Sequence, residues 1–437
     1  MNLTDKFIDG LLSVAHPLTI QTINQTRNCL LDYFGVLIGG KRYLKGHHQE
    51  LIDSFSDGTP KENAFLNGFA AHVLELDDGH RQGMIHLGSS IISAVLAVAE
   101  KEKLPLESAL RGITMGYESA VRCARAVQPG HKMRGYHVSG TCGTIGSALG
   151  VAFACNYNEE QLHSTLACAV SSAAGVLEIQ EQASELKPYN VGRAAMAGVV
   201  AAQIGKLAIP GPDDILGGER GFLVALTDTP KPGFLIDFSK NRYCIEEIYQ
   251  KVHAACRHCH PAIDATLSIR KNVNLQPDQV YRVEVHTYKL AVGSHNHVDI
   301  RGISSAKLST PYSVALAIVK GRLGYADYNE NNLNDRTIKR LAHEVQVMED
   351  PELTLRSSEV RGARVNIFLK NGQSLEATCY YPKGEPENPL TSEEVETKFR
   401  ELAMYGGMNE AECDEVISEI RKEDSSLSKV LSIICKK

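Results

Sequence analysis

Three segments of the chain, residues 140–156, 162–178 and 192–208, are rich in Ala, Gly, Ser and Cys, and they limit the fold more than any other feature. Each is about four helical turns long. Helices with so little side chain bury surface only when their backbones approach closely, so these segments predict a tightly packed central bundle. The absence of Trp and the 6% aromatic content suit such a core. Residues 20–39 read as a further amphipathic helix, and helical periodicity runs from Asp5 to about Leu226. No fixed-period repeat or low-complexity tract interrupts it. A chain of 437 residues buries a sizeable core without disulfide support.

The pattern then changes. Residues 210–239 carry Pro, Gly and Asp clusters that predict loops, with a short helix at 221–226. Residues 279–288 alternate as a strand does. Residues 363–370 and 373–381 do the same and are joined by Asn371-Gly372, a strong hairpin signal. Helices at 311–320 and 335–347 lie between, which makes an α+β unit with a mostly antiparallel sheet. After the loop Gly384-Glu-Pro-Glu-Asn-Pro, Thr391-Ser-Glu-Glu offers a capping box and the chain returns to helix through Lys437. The expected fold is mainly α. Residues 1–260 and 391–437 form a large all-helical domain from both ends of the chain, and 261–390 form an inserted, smaller α+β lid domain. An inserted domain creates a cleft suited to a ligand.

A net charge of -6 argues against nucleic-acid or anionic-membrane partners. The N-terminus lacks a signal-peptide pattern and the apolar runs are interrupted, so a cytoplasmic protein with no membrane span is expected. Eleven cysteines, an odd count scattered through apolar helices, suit reduced thiols. Cys256-Arg-His-Cys259-His260 fits the C-x-x-C-H pattern of haem attachment, but that chemistry demands export. Neither haem nor a zinc pair is assigned there, and no metal or other cofactor is expected.

Chemistry concentrates between Asn67 and Ser90, where three acids, three histidines and an arginine lie between apolar segments. Read as a helix, residues 67–78 place His72, Glu75 and Asp78 on one face. Gly79 and Gly83 then break it, leaving His80, Arg81 and His86 on a loop before a second apolar helix at 89–101. Acids in a last helical turn oppose the helix dipole, so local stability does not explain them. A solvated surface and a polar pocket both remain open from composition. Four further islands follow: His137 before the 140–156 helix, Lys187-Pro before the 192–208 helix, His260-Pro-Ala-Ile-Asp at the junction, and Arg301 with Lys307 and Tyr312.

The order of these islands resembles the MmgE/PrpD family across nearly the whole chain. The matching motifs are Asn-Gly, Ala-His and the acidic run, then the His86 loop, Gly-Tyr-His, Lys-Pro before Gly-Arg-Ala-Ala, His-Pro-Ala-Ile-Asp, Lys-(x)4-Tyr, and Gly-Glu-Pro-Glu-Asn-Pro. The family includes 2-methylcitrate dehydratase, cis-aconitate decarboxylase and iminodisuccinate epimerase. The resemblance implies an all-helical domain with an α+β lid, usually a homodimer. It also implies that His86, His137, Lys187, His260 and Tyr312 line the active site. Two departures stand out: Glu75 replaces an aspartate that opens the acidic run, and Leu87 replaces the proline after the loop histidine.

The family's reactions form or protonate a carbanion or enediolate beside a carboxylate, work for which histidine is suited. The expected function is a cofactor-independent lyase on a small citrate-like di- or tricarboxylate. An epimerase of a dicarboxylate and a non-catalytic dicarboxylate-binding protein are the alternatives. His86, His137, Lys187, Tyr312 and Glu75 are the expected catalytic set, and Asp78, His260, Arg301 and Lys307 the expected substrate ligands.

Overall fold

In the computed structural model of the protein, the Leu106–Val127 and Val138–Ala154 helices cross with their backbones in contact. A Cβ added at Gly112 would lie 2.5 Å from the Gly150 carbonyl oxygen, and one at Gly146 would lie 2.7 Å from that of Gly116. This is the close approach that the small residues imply. Every residue of the Val138–Ala154 helix is buried, so it has no polar face and forms the centre of the bundle.

The structure describes residues 1–55, 58–181, 184–239, 242–423 and 425–434, so the last three residues of the helix expected to reach Lys437 lie outside it. The chain divides into two compact units, one of residues 1–179, 186–249 and 391–437 and the other of residues 180–185 and 250–390. The first unit is helical. Its Ile20–His47 helix continues past Gly39 and Gly40, where the sequence pattern ends it, because Gly40 serves a crossing: a Cβ there would lie 1.8 Å from the Ala70 carbonyl oxygen. The Glu159–Ser171 helix starts at a capping box on Asn158 and stops before the 178 expected. From the far end of the chain, Thr391 caps the Ser392–Tyr405 helix with the reciprocal bonds its motif promises. That helix is tied into the unit by Lys398, which contacts Asp32 at 2.6 Å and donates to the Leu76 carbonyl at 2.8 Å. No helix among the described residues is long and apolar enough to cross a membrane, and no disulfide joins their cysteines.

The second unit holds a four-stranded sheet in the order β2-β1-β3-β4, formed by β1 (Val280–Thr287), β2 (Val345–Glu349), β3 (Ala363–Leu369) and β4 (Ser374–Cys379). β1–β3 and β3–β4 are antiparallel, the second pair being the Asn371-Gly372 hairpin, while β1–β2 is parallel. The helix expected over 335–347 is shorter, Arg336–His343, and its last residues turn into β2. Five residues are too few to show a period against a helix, and pairing with β1 decides them.

Residues 250–260, grouped with the helical domain in the sequence reading, cluster with the second unit. They are fastened inside it. Gln250 N–H donates to the Gly384 carbonyl at 2.9 Å, and Arg257 forks onto Glu385 at 2.9 and 2.6 Å. Gly384 has φ +90° and a Cβ there would lie 1.8 Å from the Gln250 carbonyl oxygen. The Gly-Glu-Pro-Glu-Asn-Pro motif therefore acts as a backbone lock, with Glu385 neutralising the buried Arg257.

Candidate active site

The Pro60–Val73 helix ends earlier than its periodicity suggests, because Glu75 adopts a left-handed backbone with φ 56°. His72 is thus the last polar residue on the helix, and Glu75, Asp77 and Asp78 belong to the irregular segment that follows. The turn sends the two adjacent aspartates to different tasks. Asp77 Oδ2 accepts from His72 Nδ1 at 2.7 Å and from the Ser89 hydroxyl at 2.8 Å, and its Oδ1 lies 3.5 Å from His86 Nδ1. Asp78 instead accepts the Gly88 N–H at 2.8 Å, at the start of the Gly88–Lys101 helix, and the Tyr117 hydroxyl at 2.6 Å. Burial pushes the Asp78 carboxyl up to about 7 against those two bonds.

His86 is held on three sides. Its backbone N–H donates to Ser139 Oγ at 2.9 Å, its ring packs edge-on to His72 with centroids 4.8 Å apart, and its Nδ1 lies 3.1 Å from the Asp78 carbonyl oxygen. A carbonyl only accepts, so Nδ1 carries the proton and Nε2 presents a lone pair. Leu87, next in sequence, is fully buried.

His137 caps the central Val138–Ala154 helix. The Asn190 amide donates to its Nδ1 at 3.0 Å, which leaves the proton on Nε2. Burial, with Lys187 and the neighbouring imidazoles adding to it, holds His137 well below the usual histidine range. Its neutral form therefore offers an N–H. Lys187 opens the Lys187–Gly205 helix that also carries Asn190, and its ammonium is paired with Glu75. His72 Nε2, buried and without a hydrogen bond among the described residues, lies 3.9 Å from Glu75 Oε1.

Of the residues expected from sequence, the helical unit thus brings together His86, His137, Lys187 and Glu75, with Asp78 behind them as a brace for the loop. His72, Asp77 and Asn190 join them without having been singled out as site residues. His80 sits apart: it accepts the Gly83 N–H at 2.9 Å, and burial pulls it down to about 4. His72, Asp77 and His86 are also of metal-ligand type, with one ligand atom each inside 4.8 Å. The short His72–Asp77 contact is that of a hydrogen-bonded carboxylate–imidazole pair.

The other expected residues lie in the second unit. His260 has both nitrogens engaged, Nδ1 accepting from Arg257 at 2.8 Å and Nε2 donating to the Ala255 carbonyl at 3.2 Å. Burial and the Arg257 charge hold it well below its usual range. It therefore has no nitrogen to spare for a substrate, and the ring of His253, paired with Asp264 at 2.7 Å, packs beside it. Arg301 is 64% exposed on a surface pair with Asp299 at 3.0 Å. Lys307 is buried, and Tyr312 is buried with a hydroxyl that makes no hydrogen bond among the described residues.

The helical unit thus gathers a carboxylate-paired imidazole, a buried neutral imidazole and a lysine–glutamate pair in one place. Sequence comparison gives the family: the MmgE/PrpD N-terminal domain matches residues 13–235 and the MmgE/PrpD C-terminal domain residues 253–422, so the chain belongs to the MmgE/PrpD family. The chain is 23% identical to the cis-aconitate decarboxylase of Homo sapiens over 427 residues, which cover 91% of this chain and 87% of the relative. It is 25% identical to the cis-aconitate decarboxylase of Aspergillus terreus (strain NIH 2624 / FGSC A1156) over 383 residues, 79% and 74% of the two chains.

Proposed function

We propose that the protein is a cofactor-independent lyase that dehydrates or decarboxylates a small citrate-like di- or tricarboxylate. The observation that carries this reading is His86, whose Nδ1–H is committed to the Asp78 carbonyl beside Asp77, the tautomer in which Nε2 is the basic nitrogen. Such an imidazole takes a proton from, or returns one to, a carbon next to a carboxylate. Asp77 stabilises the imidazolium formed in that step. His137 Nε2–H donates to the oxygen where negative charge collects, and Lys187 faces a substrate carboxylate. The curated relatives, named as cis-aconitate decarboxylases, support the substrate class.

A proton NMR time course in deuterated water with cis-aconitate, 2-methylcitrate, citrate and aspartate-derived dicarboxylates tests this. New product with loss of carbon dioxide or water is expected, and His86→Ala is expected to bind the same acid while losing turnover by about 10²–10⁴-fold. No turnover on any of these acids would refute the lyase and leave a binding protein.

One observation favours a second reading. The Glu75–Lys187 pair leaves the cation already matched by an anion, which suits a substrate bearing an amino or imino nitrogen as well as carboxylates. Such a substrate fits an epimerase of a dicarboxylate. Deuterium entering recovered substrate with no new product would select it.

A further inference from the structure

The Cys256–His260 motif finds its partners elsewhere than its spacing suggests. Cys259 is buried and accepts a hydrogen bond from the Thr310 hydroxyl at 3.4 Å, so it is turned toward the helix that begins there. Cys256 faces the opposite way, toward His295, the last residue of the Lys289–His295 helix. Its Sγ lies 3.6 Å from His295 Nε2. His258 completes the group: its ring stacks on His295 with centroids 5.0 Å apart, and one ligand atom from each of Cys256, His258 and His295 falls within 4.8 Å of the other two.

We infer that Cys256, His258 and His295 form a binding site for a divalent transition metal of the zinc type. Tetrahedral zinc with sulfur at about 2.3 Å and nitrogen at about 2.0 Å holds those two atoms roughly 3.6 Å apart, which is the separation found between Cys256 and His295. The surroundings supply the second layer such a site requires. His295 Nδ1 donates to the Leu308 carbonyl at 2.8 Å, which fixes its proton there and aims the Nε2 lone pair at Cys256. His258 Nδ1 is hydrogen-bonded to the Tyr288 hydroxyl, which orients that ring in turn. Tyr288 and Ala291 pack with Leu353 in a buried apolar cluster that seats the helix carrying His295.

Two imidazole nitrogens on one zinc sit about 3.4 Å apart, so ligand atoms as far apart as the 4.8 Å that bounds the group would close by about an ångström on binding. On binding, the Cys256 thiol releases its proton to solvent and becomes the thiolate ligand. One thiolate and two neutral imidazoles leave the ion a net positive charge and a fourth position for water. The metal would clip the turn at 257–259 to the 289–295 helix. All three ligands belong to the second unit, and none of them is among the residues assigned to the proposed lyase chemistry.

Cobalt(II) titration of the full-length, reduced protein tests it, because a thiolate–cobalt charge-transfer band in the near ultraviolet requires a sulfur ligand. The His72–Asp77–His86 group has none and cannot produce the band. The expected result is a band that saturates at one equivalent, is displaced by zinc and survives Cys259→Ser. Cys256→Ser and His295→Ala should each weaken binding by more than about tenfold. No band in the wild type, a band retained in Cys256→Ser, or a band lost in Cys259→Ser would overturn the assignment. X-ray absorption on the zinc-loaded wild type needs no variant: one sulfur at about 2.3 Å and nitrogen or oxygen at about 2.0 Å are expected. A shell without sulfur would overturn it.

Discussion

Asp78 offers a measurable link between the loop that carries His86 and the pH dependence of folding. Its carboxyl is buried, and the loss of hydration pushes it up to about 7, with Asp32 and Asp77 adding to the effect. In the unfolded chain the same group titrates near about 3.9. Below about pH 4 it is protonated in both states and carries no penalty. Between about pH 4 and pH 7 the unfolded chain ionises while the folded one holds its proton, so stability is lost as pH rises toward 7 and stays lost above it. The gap between the two titration points corresponds to roughly 4 kcal/mol. Asp78→Asn keeps the shape, since an amide oxygen can accept the Gly88 N–H and the amide nitrogen can donate to the Tyr117 hydroxyl, but it does not titrate. Urea unfolding of both proteins across this range should show the wild type losing stability relative to the variant by roughly 4 kcal/mol between about pH 4 and pH 8. Parallel curves would mean that Asp78 is ionised in the folded protein and that its two hydrogen bonds outweigh burial.

In front of that brace, Asn190→Asp replaces a donor with an acceptor, draws the His137 proton onto Nδ1 and removes the Nε2–H. Its kcat should fall by about 10²–10⁴-fold while far-ultraviolet circular dichroism stays unchanged. Lys187→Met leaves Glu75 charged without its partner and should cost about 3–5 kcal/mol in denaturant unfolding. Adding Glu75→Gln to that variant should restore most of the loss.

Much of this arrangement is legible in the chain. The small-residue segment at 140–156 announces the close backbone approach at Gly146 and Gly150, and Asn371-Gly372 announces the β3–β4 turn, because in both cases local chemistry permits one structure. His86, His137, Lys187 and Glu75 are legible through their places beside helix ends and loops. What is not legible depends on direction. Asp77 and Asp78 are identical neighbours, and only the left-handed turn at Glu75 decides which one meets the histidines. The five-residue spacing from His72 to Asp77 across a helix end is the one sequence signal that points to the pair. His260 lies in a matching motif, yet Arg257, one helical turn earlier, occupies its Nδ1. The parallel strand β2 owes its existence to β1, more than fifty residues away in sequence.

Glu75 is where the substrate question becomes physical. A non-glycine residue in the left-handed region carries a strain of about 1 kcal/mol, and the pair with Lys187 holds the carboxylate there. For a polycarboxylate substrate that carboxylate is a competitor, since Lys187 must leave it to meet an incoming anion. A like charge about 5 Å from a substrate carboxylate costs about 3 kcal/mol at an effective dielectric constant near 20. Glu75→Gln removes the competitor, so KM for a citrate-like acid should fall by roughly a hundredfold. For a substrate with a cationic nitrogen the same carboxylate is a partner, and the substitution should raise KM by a comparable factor. Steady-state kinetics of Glu75→Gln on both substrate types therefore decides between the two functional readings. An unchanged KM for both would show that Glu75 neither competes with substrate nor binds it, and serves only to hold Lys187 in place.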